Sequence, residues 1–247
     1  MRAGEYDTMA RVEDRYWWYR SLRRRIAGAL RAEIAGAPRR ILDVGCGTGA
    51  NAAALRRVYP SSAVVGMDLA TSALSHSRRR GLATLVCGSA NELPFRDGVF
   101  DVVLIADVLN VVAVSDATAL REAHRVLGTG GVLAANVPAF EWLRGEHDVA
   151  VRTARRYRRA EVARLLAGAG FAVRRLTYWN ALLLPAAWAV RRVRRRADAT
   201  AVSDLTSPLP RQVNASFAGV LAVEEWIARW LPVPFGTSVF AVASKRG

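Results

Sequence analysis

The sequence has almost no lysine. Lys245 is the only one, so arginine supplies the rest of the 36 basic residues, against 21 acidic residues. The formal net charge of +15 suits nucleic acid, an anionic lipid surface or an acidic substrate. The basic runs lie on separate predicted elements and resemble no nucleic-acid-binding module, so we interpret them as solvated helix faces and expect no nucleic-acid partner. The runs are Arg23–Arg25, Arg78–Arg80, Arg155–Arg159 and Arg191–Arg196.

Cysteine and long apolar segments are scarce too. Cys46 and Cys87, the two cysteines of the 247 residues, cannot form a disulfide framework. Both fall at ends of predicted strands, which favours buried, reduced thiols in a cytosolic protein. No N-terminal segment resembles a signal peptide, and no apolar run is long enough to span a bilayer. We therefore expect a cytoplasmic protein of one domain without a metal site.

One apolar strand runs directly into three glycines at alternate positions, Gly45, Gly47 and Gly49, and a helical pattern follows at once. Glycine permits backbone angles closed to other residues and lets a ligand lie on the main chain. Asp43 precedes this turn, and a second strand ends at Asp68, 19 residues past Gly49. A carboxylate at that place suits a ribose diol, because it can accept two hydroxyl hydrogen bonds. The pattern predicts a nucleoside-cofactor site.

Strands and helices alternate from about residue 39 to residue 245, which predicts a doubly wound, mostly parallel α/β sheet. Strands are predicted at Arg40–Val44, Ala63–Asp68, Leu82–Cys87, Phe100–Ala106, Gly131–Val137, Ala172–Tyr178 and Thr237–Ala243. Helices between them are predicted at Ala50–Tyr59, Ser72–Arg80, Ala117–Leu127 and Arg159–Ala169.

The motif D-x-G-x-G-x-G resembles the first motif of the class I S-adenosylmethionine-dependent methyltransferases. This resemblance implies a Rossmann-like sheet of seven strands with the last strand antiparallel, and S-adenosylmethionine as cofactor. The cofactor-binding residues that it implies are Asp43, Gly45, Cys46, Gly47, Gly49, Asp68, Leu69, Ser89, Ala90 and Asp107. Leu69 would flank the adenine. Ser89 stands where the family has an acid, and the glutamate and histidine that often follow the family's equivalent of Asp107 are Asn110 and Val111 here.

The flanks of the chain resemble a bacterial subgroup of these enzymes with small-molecule substrates. We predict an N-terminal helical lid over 1–37, a cofactor-binding core over 38–179, a helical insertion over 180–234 and the last strand within 235–247. The motifs that carry this resemblance are Tyr16–Tyr19, Val137–Phe140, His147-Asp148, Arg155–Tyr157 and Pro234–Ser238. The aromatic residues Trp17, Trp18 and Tyr19 either cover an apolar substrate or bury a helix on the core.

Three residues are candidates for catalysis. Asp107 follows the fourth strand, at the edge where open α/β sheets bind ligands. His147, next to Asp148, is a candidate general base on the loop after the fifth strand. Tyr157, with Arg155 and Arg156, either clamps an anionic acceptor or belongs to a salt-bridge network.

The resemblance implies methyl transfer to a small-molecule acceptor, and a partly apolar secondary metabolite fits the aromatic N-terminus. Transfer to oxygen, nitrogen and carbon all remain open. A second hypothesis is a lipid-linked acceptor at a membrane surface, since Ala181–Arg196 is apolar and then basic. A third is a non-catalytic protein that binds the cofactor.

Overall fold

A computed structural model of the chain describes residues 3–185, 188, 209–228, 230–231 and 233–246. Its centre is a sheet of seven strands in the order β3-β2-β1-β4-β5-β7-β6. The strands are β1 (Arg40–Val44), β2 (Ala63–Asp68), β3 (Thr84–Cys87), β4 (Phe100–Ala106), β5 (Leu127–Pro138), β6 (Phe171–Trp179) and β7 (Ser238–Lys245). β7 runs antiparallel to both of its neighbours, β5 and β6, while the other pairs are parallel. The predicted fold class is confirmed.

Helices cover both faces of this sheet. They are α1 (Ala3–Val12), α2 (Trp17–Glu33), α3 (Ala50–Val58), α4 (Thr71–Arg79), α5 (Asp116–Val126), α6 (Glu146–Ala150), α7 (Arg159–Gly168) and α8 (Arg211–Ile227). A 3-10 turn spans Glu141–Leu143. The predicted helices agree with the structure to within one residue at each end. β5 is longer than predicted, because its glycine-rich start continues the ladder, with a register shift opposite β4, instead of ending it.

Two apolar clusters hold the layers together. On one face α2 contributes Leu22, Ile26 and Leu30, which recur at helical spacing and pack with α3, α8 and one side of the central strands. On the other face α5 and α7 pack over alternate residues of the same strands. Strands that are buried on both faces need near-continuous apolar sequence, which β1, β4 and β5 have.

The topology brings ligand-facing chain segments to one edge of the sheet. The connections leave β1 in one direction and β4 in the other, so a crevice opens between the carboxyl ends of these two neighbours. The loops after β2, β5 and β6 begin at the same edge, because β6 lies parallel to β5 across β7. The candidate site residues should therefore converge there.

The prediction that both thiols are buried is right for one of them. Cys46 is buried, whereas Cys87 is exposed because β3 is an edge strand with no neighbour beyond it. Among the described helices, none is long and apolar enough to cross a membrane. The basic run Arg191–Arg196 and most of the predicted interfacial segment Ala181–Arg196 lie outside the described residues.

Candidate functional site

The turn between β1 and α3 forms a loop over residues 45–49, called the glycine loop below. Gly45, Gly47 and Gly49 all have positive φ, at 67°, 55° and 84°. Side chains rarely adopt these angles, and a Cβ on Gly45 would collide with Val108. The amide of Cys46 donates to the carbonyl of Met67 (2.8 Å), which anchors the glycine loop to β2.

Asp43 lies beneath the glycine loop with a carboxylate that the protein does not fully satisfy. The residue is 1% exposed, and its Oδ2 is buried without a hydrogen-bond partner among the described residues. Burial raises the pKa of Asp43 to about 8, although a hydrogen bond from the amide of Ala52 opposes the shift. An unsatisfied buried acid is costly, so it indicates a site that a polar or cationic ligand completes.

Asp68 closes the neighbouring side of the site. Its Oδ2 accepts from the amide of Gly47 (2.9 Å), and its Oδ1 accepts from the amide of Ala70 (2.9 Å). Each carboxylate oxygen keeps a second lone pair, so two hydroxyl groups can still donate to it. Leu69 follows with 64% of its surface exposed, an apolar side chain free to flank a planar ring. Asp43, the glycine loop and Asp68 are called the cofactor cradle below.

Ser89 and Ala90 lie after β3, on the far side of Asp68. The hydroxyl of Ser89 accepts from the amide of Asn91 (3.2 Å), so its oxygen is turned toward its own loop. Ala90 is buried. Their roles toward an adenine remain predictions.

Helix α1 lies over the cofactor cradle. The methyl group of Met9 is 2.9 Å from the position that a Cβ on Gly47 would take. Tyr6 is buried, and desolvation followed by the charge of Asp68 raises its pKa to about 12. Glu13, just past α1, accepts from the Thr48 hydroxyl and pairs with Arg80 (2.6 Å), which holds α1 against the glycine loop.

Asp107 follows β4 on the other side of the crevice. It has a positive φ of 57°, and Nδ2 of Asn136 donates to both carboxylate oxygens, at 3.0 and 3.1 Å. Burial raises the pKa of Asp107 to about 7, while the Asn136 hydrogen bonds and the charge of Arg156 lower it. A carboxylate with this pKa suits a general base at neutral pH.

Tyr157 is anchored away from solvent. Only 1% of it is exposed, and its hydroxyl donates to the carbonyl of Leu109 (2.8 Å) and lies 3.1 Å from Oδ2 of Asp116. Desolvation raises its pKa. Arg155 covers its ring at 4.5 Å and bridges Asp116 and Glu161. These contacts favour a structural role, and catalysis by Tyr157 stays a prediction that they do not support.

Asp148 and Arg156 form a buried, bidentate ion pair. Nε and Nη2 of Arg156 each lie 3.0 Å from a carboxylate oxygen of Asp148, and Nη1 donates to the carbonyl of Ala139 (2.9 Å). Of the two alternatives for Arg155 and Arg156, these contacts match the salt-bridge network. His147 lies on the short helix α6, but its side chain is outside the described part of the chain, so its role as a base stays a prediction.

The aromatic N-terminal segment lies at the same edge of the sheet. Trp18 stacks on Trp179, the last residue of β6, with ring centroids 5.7 Å apart. Trp17 packs edge-on against Phe217 of α8 (5.5 Å), and its amide donates to Oδ1 of Asn214 (3.0 Å). The segment therefore buries the start of α2 on the core and also joins the described part of the insertion.

Sequence reasoning missed Glu13, Asn136 and Trp179. Asn136 was detectable, because it is the one polar residue between Val132 and Val137 in a strand that must be buried. Glu13 and Trp179 carried no such signal, since their partners are distant along the chain.

This strand order, an antiparallel last strand and a glycine loop between two acids define the class I S-adenosylmethionine-dependent methyltransferases. The chain belongs to this family, and its cofactor is S-adenosylmethionine. The residues fit that cofactor: the unpaired oxygen of Asp43 suits the ammonium or hydroxyl donors of a sulfonium amino acid, and the remaining lone pairs of Asp68 suit a ribose diol.

Comparisons with known proteins agree. A family model described as a methyltransferase domain matches residues 42–135. A malonyl-[acyl-carrier protein] O-methyltransferase from Geobacter sulfurreducens is 37% identical over 185 residues, covering 68% of this chain and 66% of that protein. The ubiquinone/menaquinone biosynthesis C-methyltransferase UbiE of Desulfotalea psychrophila is 36% identical over 138 residues, 52% of each chain. The chain thus spans less than two thirds of the length of these curated relatives.

A solved S-adenosylmethionine-dependent methyltransferase from Thermotoga maritima superposes with a TM-score of 0.60. It is 20% identical, with 98% of this chain and 96% of that chain covered. This likeness concerns the fold alone. Among the described residues there is no group of side chains that could hold a metal ion.

Proposed function

We propose that the protein transfers a methyl group from S-adenosylmethionine to a small, partly apolar acceptor, with secondary metabolites as the class that the sequence favours. The observation that carries the proposal is the cofactor cradle, in which Asp43 keeps an unpaired buried oxygen below the glycine loop while Asp68 retains free lone pairs beside it. The methyltransferase relatives support the same activity.

The cofactor, when bound, supplies an activated methyl group and a good leaving group. The protein has to orient the two reactants and keep water out, which can supply much of the rate acceleration. The main chain of the glycine loop and Asp68 would bind and orient the nucleoside end, with Leu69 beside the ring. Helix α1 would exclude water from above through Met9 and Tyr6.

An acceptor that reacts through a hydroxyl or ammonium must also lose a proton. Asp107 is the best-placed group for this task in the described structure, because its carboxylate lies beyond the end of β4 and its pKa of about 7 lets it take a proton at neutral pH. His147 is the alternative that the sequence predicts.

The two curated relatives are named for O-methylation of malonyl-[acyl-carrier protein] and for C-methylation in ubiquinone/menaquinone biosynthesis. The aromatic residues Trp17, Trp18 and Trp179 at the same edge of this sheet support an acceptor with an apolar part.

The first experiment measures cofactor binding and then transfer. Calorimetry should give a micromolar or tighter dissociation constant for S-adenosylmethionine or its demethylated product. This corresponds to a binding free energy of roughly −8 kcal/mol. Methyl transfer from labelled cofactor is then tested with acyl thioesters, free fatty acids and quinols. Binding of a nicotinamide cofactor in place of the sulfonium compound would refute the proposal, and cofactor binding without transfer to any acceptor would favour the non-catalytic alternative.

Asp68→Ala is expected to weaken cofactor binding while the fold survives. A charged hydrogen bond is worth about 1.5–3 kcal/mol, so the dissociation constant should rise at least about tenfold. Calorimetry measures the change, and circular dichroism checks the fold. An affinity within about twofold of the parent protein would remove Asp68 from the cofactor cradle.

A second candidate function, transfer to a lipid-linked acceptor at a membrane surface, has one specific observation in its favour. The C-terminal half of α8 and the residues after it expose large apolar side chains. These are Val223, Trp226, Trp230, Leu231 and Phe235, with Trp226 61% and Trp230 76% exposed. Tryptophan is enriched at membrane interfaces, and the net charge of +15 favours anionic lipid.

Co-sedimentation with vesicles of anionic and of neutral lipid tests this second function. If the protein works at a membrane surface, we expect the double variant Trp226→Ser and Trp230→Ser to lose vesicle binding. Trp142→Ser is the control, because Trp142 is an exposed tryptophan on the 3-10 turn. No binding of the parent protein to anionic vesicles would eliminate the membrane hypothesis.

A further inference from the structure

Asn136 is a completely buried amide near the end of β5. Its Nδ2 donates to Oδ1 and Oδ2 of Asp107 at 3.0 and 3.1 Å, and its Oδ1 accepts from Nε1 of Trp179 at 2.8 Å. A polar group that is buried among apolar strand residues costs stability unless it is bonded, and here both ends of the amide are bonded. These hydrogen bonds connect β6, which lies beyond β7, to β5 and to the end of β4.

The indole fixes which way the amide points. An indole N–H only donates, so it requires the oxygen of Asn136, and the NH₂ group must then face Asp107. An ionised carboxylate only accepts, so this orientation favours the charged form of Asp107. With the amide reversed, its oxygen would face the carboxylate oxygens and its NH₂ group would face the indole N–H.

The main chain adds a second constraint on the same residue. Asp107 has left-handed backbone angles, with φ at 57°, and its amide donates to the carbonyl of Asn136 at 2.8 Å. Such angles cost energy for a residue other than glycine and persist only where surrounding contacts impose them. Backbone and side chain of one residue thus hold both the position and the direction of this carboxylate.

We propose that Asn136, with its amide oriented by Trp179, is a positioning residue that holds Asp107 as an ionised acceptor of the substrate's proton. The inference rests on the proposed methyl transfer, in which Asp107 is the base. Trp179 also stacks on Trp18 and carries the guanidinium of Arg25 over its ring at 5.1 Å, so α2 supports the indole from behind. The N-terminal segment and the base are therefore connected through one side chain.

The groups around Asp107 come from three elements besides its own. Asn136 is on β5, and Arg156 of the loop before α7 exerts an opposite charge. Tyr19 of α2 has a pKa that is raised first by burial and then by the charges of Glu13 and Asp107. Removing the Asn136 hydrogen bonds leaves burial as the dominant influence, and burial raises the pKa of a carboxyl group.

The test is a titration of the Asp107 carboxyl carbon by NMR in the full chain labelled with ¹³C-aspartate, with Asp107→Asn to identify the resonance. It requires neither cofactor nor acceptor. The parent protein should titrate near pH 7. Asn136→Leu should raise the midpoint by about one unit or more, and Trp179→Phe should raise it by less, because the amide remains but loses its orientation.

Trp18→Phe is the matched control, since it changes the stack on Trp179 and leaves the indole hydrogen bond in place. Its midpoint should stay within about 0.3 unit of the parent value. If Asn136→Leu does not fold, Trp179→Phe carries the test. An unchanged midpoint in the folded variants, or a shift in Trp18→Phe as large as in Trp179→Phe, would overturn the inference.

Calorimetry with S-adenosylmethionine separates this inference from the function on which it rests. If the parent protein fails to bind the cofactor, the proposed function is wrong, and the titration still reports on Asn136. With an acceptor in hand, Asn136→Leu should lower kcat most strongly near pH 7 and leave the cofactor dissociation constant unchanged. A loss of cofactor affinity without any change in the pH profile would instead indicate a merely structural role.

Discussion

The cofactor cradle is centred on a tight turn of the main chain, whereas on the Asp107 side long-range side-chain contacts set the geometry. The glycine loop has three positive φ angles, and the amides of Cys46 and Gly47 each donate a hydrogen bond to β2. The groups around Asp107, by contrast, are distant from it along the chain. They are Asn136, Trp179 and Arg156, which lie up to 72 positions away in sequence. The first region is local in the chain and the second is not.

The two regions also treat buried charge differently. Asp43 is buried with one oxygen unpaired, while the buried Asp148 has a bidentate arginine. An unpaired buried acid destabilises the ligand-free fold, and a paired one is neutral or holds a loop in place. The contrast indicates that the cofactor cradle depends on its ligand, whereas the loop between β5 and α7 is complete without one.

Asp43→Asn gives the largest expected effect and tests this contrast directly. The folded protein holds a proton on Asp43 up to about pH 8, while the unfolded chain releases it near the ordinary pKa of 3.8. Stability from this group is therefore present below pH 4 and lost as the pH rises toward 8, at up to about 1.4 kcal/mol per unit. Asparagine cannot ionise, so the variant should be the more stable protein at pH 7 and bind the cofactor more weakly.

Urea unfolding at several pH values and calorimetry measure the two halves of this prediction. Asp101→Asn is the control. The carboxylate of Asp101 accepts hydrogen bonds from the amides of Arg39 (2.6 Å) and Arg40 (2.8 Å) at the opposite edge of the sheet. That variant should lose stability and keep its cofactor affinity. An Asp43→Asn protein that is less stable at pH 7 than the parent would contradict the account of an unsatisfied acid.

Arg156→Met should produce the next largest effect, now on the other region. Removing the guanidinium breaks the bidentate ion pair with the buried Asp148, and breaking a buried ion pair costs about 3–5 kcal/mol. Arg155→Met is the matched control, since that side chain is 44% exposed and its ion pairs are worth at most about 1 kcal/mol. Equal losses for the two variants in urea unfolding would show that the Asp148 pair is no more important than a surface contact.

The same contrast explains what sequence reasoning could reach. The strands around Asp43 and Asp68 follow from short apolar runs and glycine spacing, and both acids lie where the pattern placed them. The contacts of Tyr157 and Arg156 did not follow, because a run of basic residues and a tyrosine carries no record of which distant groups it will meet. The exposed Cys87 was missed for a related reason: strand order, and thus which strand is at the edge, is a property of the whole fold.

Gly45→Ala should lower the free energy of unfolding by less than Arg156→Met does. Its effect should fall on the cofactor cradle. Left-handed angles cost about 1–2 kcal/mol for alanine, and the new methyl group would also meet Val108. Gly28→Ala is the control, because that glycine lies in α2 with no heavy atom near the added Cβ and should gain up to about 1 kcal/mol. Pairing Gly45→Ala with Val108→Ala should recover the part of the loss that is due to the collision. Full recovery would mean that the backbone angle itself matters little.

The smallest expected effect concerns the cover that joins the two regions. Trp17 lies edge-on to Phe217 at 5.5 Å, which links the start of α2 to α8. Aromatic pairs of this kind are worth about 0.5–1.5 kcal/mol beyond the area they bury. A double-mutant cycle with Trp17→Leu and Phe217→Leu should therefore give a coupling in that range, measured by urea unfolding. The variants should also release bound cofactor product faster, because α1 ends at Val12, shortly before Trp17, and lies on the glycine loop. Additive losses with an unchanged release rate would mean that the N-terminal segment and α8 do not act as one cover, and that α1 closes the cofactor cradle through its own contacts.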